Sequence, residues 1–82
     1  MNMKSIHKEI KQLIEEINPY VELKEGMDLL GEGVLDSLEI FAFVTQMEDA
    51  FNIEIPDEAI TREHFTTIES IALLIQELRG KK

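Results

Sequence analysis

The chain has 82 residues, of which 44% are hydrophobic, and a formal net charge of −9. This length allows one small domain with a modest core and no roomy enclosed active site, so we do not expect an enzyme. The absence of cysteine excludes disulfides and thiolate metal sites, and the acidity argues against nucleic acid, because phosphate binding requires a basic surface.

The first predicted element is an amphipathic helix close to the N-terminus. Its apolar face consists of residues at helical spacing: Met3, Ile6, Ile10, Leu13 and Ile17. Asn18-Pro19 ends it, because proline disfavours the α conformation of the preceding residue and offers no N–H. The sequence shows no apolar run typical of a signal peptide and no stretch of membrane-spanning length. We therefore predict a cytoplasmic protein without membrane association.

A long loop follows this helix and is predicted to pack over the core. Apolar residues are scattered through it: Tyr20, Val21, Leu23, Met27, Leu29, Leu30, Val34 and Leu35. Leu23 and Leu29 are expected to plug the core. Near the end of the loop lies Gly31-Glu32-Gly33, a segment expected to be flexible, because glycine adopts conformations closed to other residues and lets a partner approach closely.

A serine is predicted at the start of the second helix. Asp36 can cap this helix by accepting a backbone N–H, and Glu39 can reach back to complete a capping box. Ser37 then lies in the first turn with its hydroxyl free. We interpret this hydroxyl as an attachment point, at a helix end that also favours a negatively charged group.

The second helix, predicted from about Ser37 to Phe51, carries two apolar stripes. The stripe assigned to the core contains Ile40, Phe43, Val44, Met47 and Phe51. A second group near the serine contains Leu38, Phe41 and Ala42, and an exposed patch of this kind marks a partner surface. The alternative is that the long loop covers Phe41.

The rest of the chain is predicted to contain two helices and no strand. Residues 53–56 alternate like a strand but have nothing to pair with. A short third helix is expected between Asp57 and His64 with Thr61 as its cap, and a fourth is expected to open with a Thr66–Glu69 capping box. Its inward stripe would be Ile68, Ile71, Ala72, Ile75 and Leu78. The predicted fold is an all-α four-helix bundle, with three main helices, one short helix and a long loop between helices one and two.

The acidic residues are unevenly placed, since residues 25–61 contain no lysine or arginine. The acidic side chains of this span are Glu25, Asp28, Glu32, Asp36, Glu39, Glu48, Asp49, Glu54, Asp57 and Glu58. They either keep the protein in solution or steer basic partner proteins toward the serine. No EF-hand spacing is present, and His7 and His64 are predicted to be surface residues, so no catalytic or metal site is expected.

The order of these features resembles the acyl carrier protein family over nearly the whole chain. The resemblance rests on Asp36-Ser37-Leu38, Met47-Glu48-Asp49-Ala50-Phe51, Glu54-Ile55-Pro56-Asp57-Glu58 and Thr67-Ile68. It implies one carrier domain over residues 1–82, with a 4′-phosphopantetheine arm attached to Ser37 from coenzyme A by a phosphopantetheinyl transferase. The resemblance also implies a monomeric cytoplasmic phosphoprotein.

The second helix is the recognition helix in this family. Acyl- or aminoacyl-loading ligases and acyl-processing enzymes with basic docking patches are the implied partners. The residues predicted to bind them are Asp36, Leu38, Glu39, Phe41, Ala42, Glu48 and Asp49.

Departures from the family pattern bear on the cargo. Fatty-acid synthesis carriers typically show a glutamate where this chain has Ala42, and Phe41 fills an aliphatic position. Residues 59–65 form a somewhat longer segment, similar to that of specialised stand-alone carriers. The main hypothesis is an acyl carrier for fatty acid, polyketide or specialised biosynthesis. The alternatives are a D-alanyl, other aminoacyl or peptidyl carrier, as in nonribosomal peptide synthesis, and an acidic adaptor without a prosthetic group.

Overall fold

The computed structural model describes residues 2–24 and 26–80. In this part of the chain there are four α-helices, α1 (Met3–Ile17), α2 (Ser37–Phe51), α3 (Arg62–Phe65) and α4 (Ile68–Arg79), and a 3-10 turn at Asp57–Ala59. No strand occurs among these residues. The predicted all-α fold with three main helices and one short helix is confirmed. Over the same residues, no helix combines the length and the apolar composition needed to cross a membrane.

Helix α1 ends where the sequence predicts. Asn2 caps it, with Oδ1 accepting a hydrogen bond from the Ser5 N–H at 2.9 Å. The helix stops at Ile17, before Asn18 and Pro19. Its fully buried positions are Ile6, Ile10 and Ile14, whereas Met3, Leu13 and Ile17 are only partly buried. The predicted stripe omitted Ile14, because the helix turns a slightly different edge toward its neighbours.

Helix α2 has the predicted bounds. Its buried residues are Phe43, Val44, Met47 and Phe51, and Ile40 is partly buried. The helix ends at Asn52, which adopts a left-handed conformation with φ of 53°. Asparagine tolerates this conformation better than most residues other than glycine, so it serves as the C-terminal cap.

The chain after α2 is a loop, as predicted, but the expected third helix is divided. The Glu48 carboxylate holds the loop by accepting a hydrogen bond from the Ile55 N–H at 2.8 Å. The 3-10 turn Asp57–Ala59 comes first, and α3 starts only at Arg62. Thr61 separates the two, because it is extended and its hydroxyl accepts the His64 N–H as the cap of α3.

The predicted capping box of α4 is one residue out of place. Thr67 is the N-cap, its hydroxyl accepts the Ser70 N–H at 3.0 Å, and the Ser70 hydroxyl accepts the Thr67 N–H at 3.1 Å. Thr66 does not cap the helix, because its hydroxyl donates to Asp28 instead. The buried residues of α4 are Ile71, Ala72, Leu74 and Ile75, while Ile68 and Leu78 are partly buried.

The long loop closes the core through Leu29. The Leu29 N–H donates to the Thr66 carbonyl at 2.7 Å, and the Leu29 carbonyl accepts from Val34 and Leu35. All three loop side chains are buried. Leu29 plugs the core as predicted, but Leu23 is only partly buried. Tyr20 is 97% exposed and does not pack on the core. It follows Pro19, in the turn beyond the end of α1.

Candidate functional site

Ser37 is the first residue of α2, and its side chain is exposed. The capping box beside it is confirmed. Asp36 Oδ1 accepts from the Leu38 N–H at 3.0 Å and the Glu39 N–H at 2.8 Å, and Glu39 Oε1 accepts from the Asp36 N–H at 3.1 Å. The Ser37 hydroxyl forms no hydrogen bond with any described residue. Asp36 accepts the backbone N–H groups at the start of α2. The Ser37 hydroxyl is therefore not needed as a cap and is free to react.

The glycine segment before Ser37 is built from hydrogen-bonded turns. Gly33 has φ of +75°, a left-handed conformation that favours glycine. Gly31 is favoured for a different reason, because a Cβ atom at this position would overlap the Asp28 carboxylate and displace it. The Gly31 N–H donates to Asp28 Oδ1 at 2.9 Å. These glycines therefore shape the turn that leads into α2, a structural role that the sequence did not predict.

Asp28 joins this loop to the other side of the bundle. Besides Gly31, its carboxylate accepts a hydrogen bond from the Thr66 hydroxyl at 3.1 Å and pairs with Arg62 Nη2 at 3.3 Å. The Gly31 amide, the Thr66 hydroxyl and the Arg62 charge hold the pKa of Asp28 below its ordinary value of 3.8. The sequence predicts no role for Asp28 beyond acidity, because its partners Arg62 and Thr66 are remote in sequence.

Replacing Asp28 by asparagine is expected to destabilise the protein at neutral pH. A group whose pKa is lowered by folding stabilises the folded state above its unfolded pKa, and this stabilisation is lost as the pH falls through the lowered folded pKa. The gap between wild type and Asp28→Asn should therefore close below pH 3.8. Denaturant unfolding of both proteins across this pH range measures it. Asp49→Asn is the control, and an equal loss of stability in the two variants at neutral pH would contradict the role of Asp28.

The second apolar group of α2 is exposed, as the two-stripe interpretation requires. Leu38 is 81% and Phe41 is 64% exposed, and Ala42 is also exposed. We call Leu38, Phe41 and Ala42 the apolar patch. The described part of the long loop does not cover Phe41, so that alternative is wrong. The loop cannot do so, because Leu29, Val34 and Leu35 direct it into the core.

The acidic residues predicted to bind partners differ in their exposure and in their hydrogen bonds to the backbone. Asp36 and Asp49 are exposed, and Asp49 forms no hydrogen bond with a described residue. Glu39 and Glu48 are half-buried, and each carboxylate accepts a backbone N–H. Glu48 therefore also holds the loop after α2. Glu25 lies outside the described residues.

The two histidines are not the surface residues that were predicted. Each is partly buried. His64 folds back on the 3-10 turn, where its Nδ1 donates to the Ala59 carbonyl at 2.9 Å. His7 has a buried Nε2 atom without a hydrogen-bond partner among the described residues. Within the described ranges, no three His, Asp or Glu side chains form a group that could hold a metal ion.

Comparison with known proteins identifies relatives of this chain. Residues 8–75 match the family described as "Phosphopantetheine attachment site". The D-alanyl carrier protein of Lactococcus lactis subsp. cremoris strain MG1363 is 37% identical over 71 residues, which cover 84% of this chain and 90% of the relative. The D-alanyl carrier protein of Lactococcus lactis subsp. lactis strain IL1403 is 35% identical over 75 residues, covering 89% and 95%. The D-alanyl carrier protein of Streptococcus pyogenes serotype M5 is 35% identical over 52 residues, covering 63% and 66%.

Proposed function

The chain belongs to the acyl carrier protein family of phosphopantetheine-attachment proteins, and on this basis we propose that it carries D-alanine, or a similarly small aminoacyl group, on Ser37. Membership makes the protein a carrier with a covalently attached 4′-phosphopantetheine, and not an enzyme. The attachment residue and the cargo are our proposal. The free, exposed hydroxyl of Ser37 is the observation that carries it.

The residues around Ser37 fit a phosphodiester. The hydroxyl is exposed and unpaired, as a nucleophile presented to a separate transferase must be. It lies at the N-terminus of a helix of 15 residues, where the helix dipole favours negative charge. Asp36 and Glu39 keep their cap hydrogen bonds without using the serine, so modification leaves the helix end intact. When attached, the arm supplies the thiol that this cysteine-free chain lacks and carries the cargo as a thioester.

The assignment to an aminoacyl cargo rests on the relatives and on α2. The three relatives named above are D-alanyl carrier proteins, and two of them align over most of both chains. Their names favour the aminoacyl alternative over the fatty acid or polyketide hypothesis. Ala42 and Phe41, where α2 departs from the fatty-acid pattern, are consistent with this choice. The adaptor hypothesis is not favoured, because the matched family is described by its phosphopantetheine attachment.

We further propose that partners dock on the apolar patch and the acidic residues around it. A phosphopantetheinyl transferase and an aminoacyl-loading ligase, each with a basic surface, would contact Leu38 and Phe41 and be attracted by Asp36, Glu39 and Asp49. The carrier would act as a monomer in the cytoplasm. The exposure of the patch beside Ser37 supports this arrangement.

Intact-protein mass spectrometry tests the proposal in two steps. Incubation with coenzyme A, Mg²⁺ and a broad-specificity phosphopantetheinyl transferase should add one phosphopantetheine mass. The modified protein is then incubated with ATP and either a D-alanine-activating ligase with D-alanine or L-alanine, or an acyl ligase with a fatty acid. We expect a gain of one alanyl mass with D-alanine. Efficient loading of the fatty acid by an acyl ligase, with none of D-alanine, would overturn the aminoacyl assignment while leaving the carrier role intact.

Removal of acidic charge from α2 should slow partner association. The variant Glu39→Gln, Asp49→Asn keeps an acceptor for the capping box, so its stability should change little. Its association rate with the transferase should fall more than its dissociation rate rises. Added salt should shrink the difference, because screening acts over about 8–10 Å at ordinary ionic strength.

Stopped-flow binding over a salt series measures this effect. Glu15→Gln, Glu16→Gln is the matched control, because it removes the same charge from exposed positions of α1 and leaves α2 unchanged. An association rate equal to wild type at low salt would mean that the acidic residues of α2 act only on solubility.

A further inference from the structure

Thr66, between α3 and α4, binds the long loop at two successive residues. Its carbonyl accepts a hydrogen bond from the Leu29 N–H at 2.7 Å, and its hydroxyl donates to Asp28 Oδ1 at 3.1 Å. Leu29 is fully buried, and Asp28 and Thr66 are half-buried. We call these two hydrogen bonds the Thr66 anchor. They join the loop to a segment 38 residues further along the chain.

The anchored loop also holds the segment that enters α2. The Leu29 carbonyl accepts hydrogen bonds from the Val34 N–H at 2.9 Å and the Leu35 N–H at 3.2 Å. Leu35 directly precedes Asp36, the N-cap of α2. Hydrogen bonds therefore run without interruption from Thr66 through the Leu29 peptide to the residue before the cap. The capping box fixes the first turn of α2, and the anchor fixes the loop that leads into it.

From this arrangement we propose that Thr66 and Asp28 are positioning residues for the modification of Ser37, an inference that rests on the proposed attachment site. In this reaction the Ser37 oxygen bonds to the β-phosphorus of coenzyme A, its proton goes to a base of the transferase, and 3′,5′-ADP leaves. The transferase binds Ser37 together with the loop beside it. A loop that is already ordered loses less conformational entropy on binding, so the anchor favours the complex.

The Thr66 hydroxyl is the part of the anchor that a substitution can remove alone. The neighbouring Arg62–Asp28 ion pair is exposed, at 67% and 43% of the two side chains, and so contributes little to the order of the loop. Thr66→Val deletes the hydroxyl with little change in size and keeps the carbonyl that binds Leu29. It leaves α2 and its apolar patch unchanged. A change in the reaction with the transferase would therefore come through the loop.

Steady-state kinetics of phosphopantetheine attachment test the proposal. Thr66→Val should raise the KM for the carrier about tenfold, as expected when the competent loop conformation falls to about one tenth of the population. The kcat and the KM for coenzyme A should not change. Thr66→Ser keeps the hydroxyl and should restore most of the wild-type KM. Asp28→Ala removes the acceptor of the same hydrogen bond, so combining it with Thr66→Val should add little to the effect of Asp28→Ala alone.

Amide hydrogen exchange measures the anchor without the transferase. The Val34 and Leu35 amides bind the Leu29 carbonyl, so their exchange should be about tenfold faster in Thr66→Val than in the wild type. Exchange of the Ile10 amide, in the buried part of α1, should change less. Unchanged exchange at Val34 and Leu35 would show that Thr66 does not order the loop and would overturn the proposal.

Asn2→Ala is the matched control for a general loss of stability. It removes the N-cap hydrogen bond to Ser5 at the start of α1 and leaves the anchor in place. Urea unfolding should show that it is less stable than the wild type, yet its KM should be unchanged at a temperature where circular dichroism shows every variant folded. A wild-type KM for Thr66→Val, or an equal rise in KM for Asn2→Ala, would overturn the positioning role. If peptide mass mapping located the arm on another residue, the proposed attachment site would fall, and this inference with it.

Discussion

Replacement of Ser37 by alanine is expected to abolish phosphopantetheine attachment completely. The reaction needs a nucleophilic hydroxyl that the transferase can reach, and the Ser37 hydroxyl is exposed and free. Alanine removes this oxygen and leaves the Asp36 cap unchanged, so the fold should be retained. Intact-protein mass after incubation with coenzyme A and transferase should show only the unmodified chain, while circular dichroism shows the wild-type helix content.

The two remaining serines provide the controls for this experiment. Ser5 is also exposed in the first turn of a helix, α1, so Ser5→Ala matches the local setting without the adjacent capping box and apolar patch. It should be modified as fully as wild type. Ser70 is partly buried, and its hydroxyl donates to the His64 carbonyl at 2.9 Å. Attachment to the Ser37→Ala variant would move the site to one of these two serines and contradict our assignment.

Local sequence signals predicted the start of α2 around Ser37, because the hydrogen bonds that form it are local. The Asp36 capping box closes within three residues, so side-chain chemistry alone was enough to place the start of α2. The end of α1 before Pro19 follows from the backbone of proline in the same way. The capping box places Ser37 at a helix end, and neither feature depends on the rest of the bundle.

Interactions between remote residues could not be predicted in the same way. The choice of Thr67 over Thr66 as the cap of α4 depends on Asp28, which binds the Thr66 hydroxyl from 38 residues away. Glu48 looked like a surface charge at the end of α2, yet its carboxylate accepts the Ile55 N–H. The Thr66 hydroxyl could either cap α4 or bind another side chain, and the Glu48 carboxylate could either face solvent or bind the loop after α2. The packing of the loops determines which of these interactions forms, and the periodicity of apolar residues carries no information about loop packing.

The two apolar stripes of α2 also combine a local signal with an interaction between remote residues. Periodicity separated the stripes but did not establish which residues are covered, since the long loop was a possible cover for Phe41. The structure shows why the loop does not cover Phe41. The loop buries Leu29, Val34 and Leu35 in the core and so leaves the outer face of α2 uncovered. An apolar surface beside a free hydroxyl is thus a consequence of how the loop is anchored.

Phe43→Ala should therefore mainly lower stability, whereas Phe41→Ala should mainly weaken docking. Phe43 is fully buried and lies edge-to-face on Phe65, with ring centroids 6.4 Å apart. Its truncation should cost about 3–5 kcal/mol of unfolding free energy. Phe41 is 64% exposed, and its truncation should change stability by less than about 1 kcal/mol.

Docking should respond in the reverse order, because an exposed aromatic side chain contributes to an interface only when a partner covers it. Phe41→Ala should weaken transferase binding, whereas Phe43→Leu, which keeps an apolar side chain in the core and so avoids complete unfolding, should bind as wild type does. Urea unfolding measures stability, and transferase titration measures docking. Large, equal losses of stability for the two alanine variants would mean that α2 buries both faces. In that case the surface beside Ser37 would be part of the core and would not recognise partners.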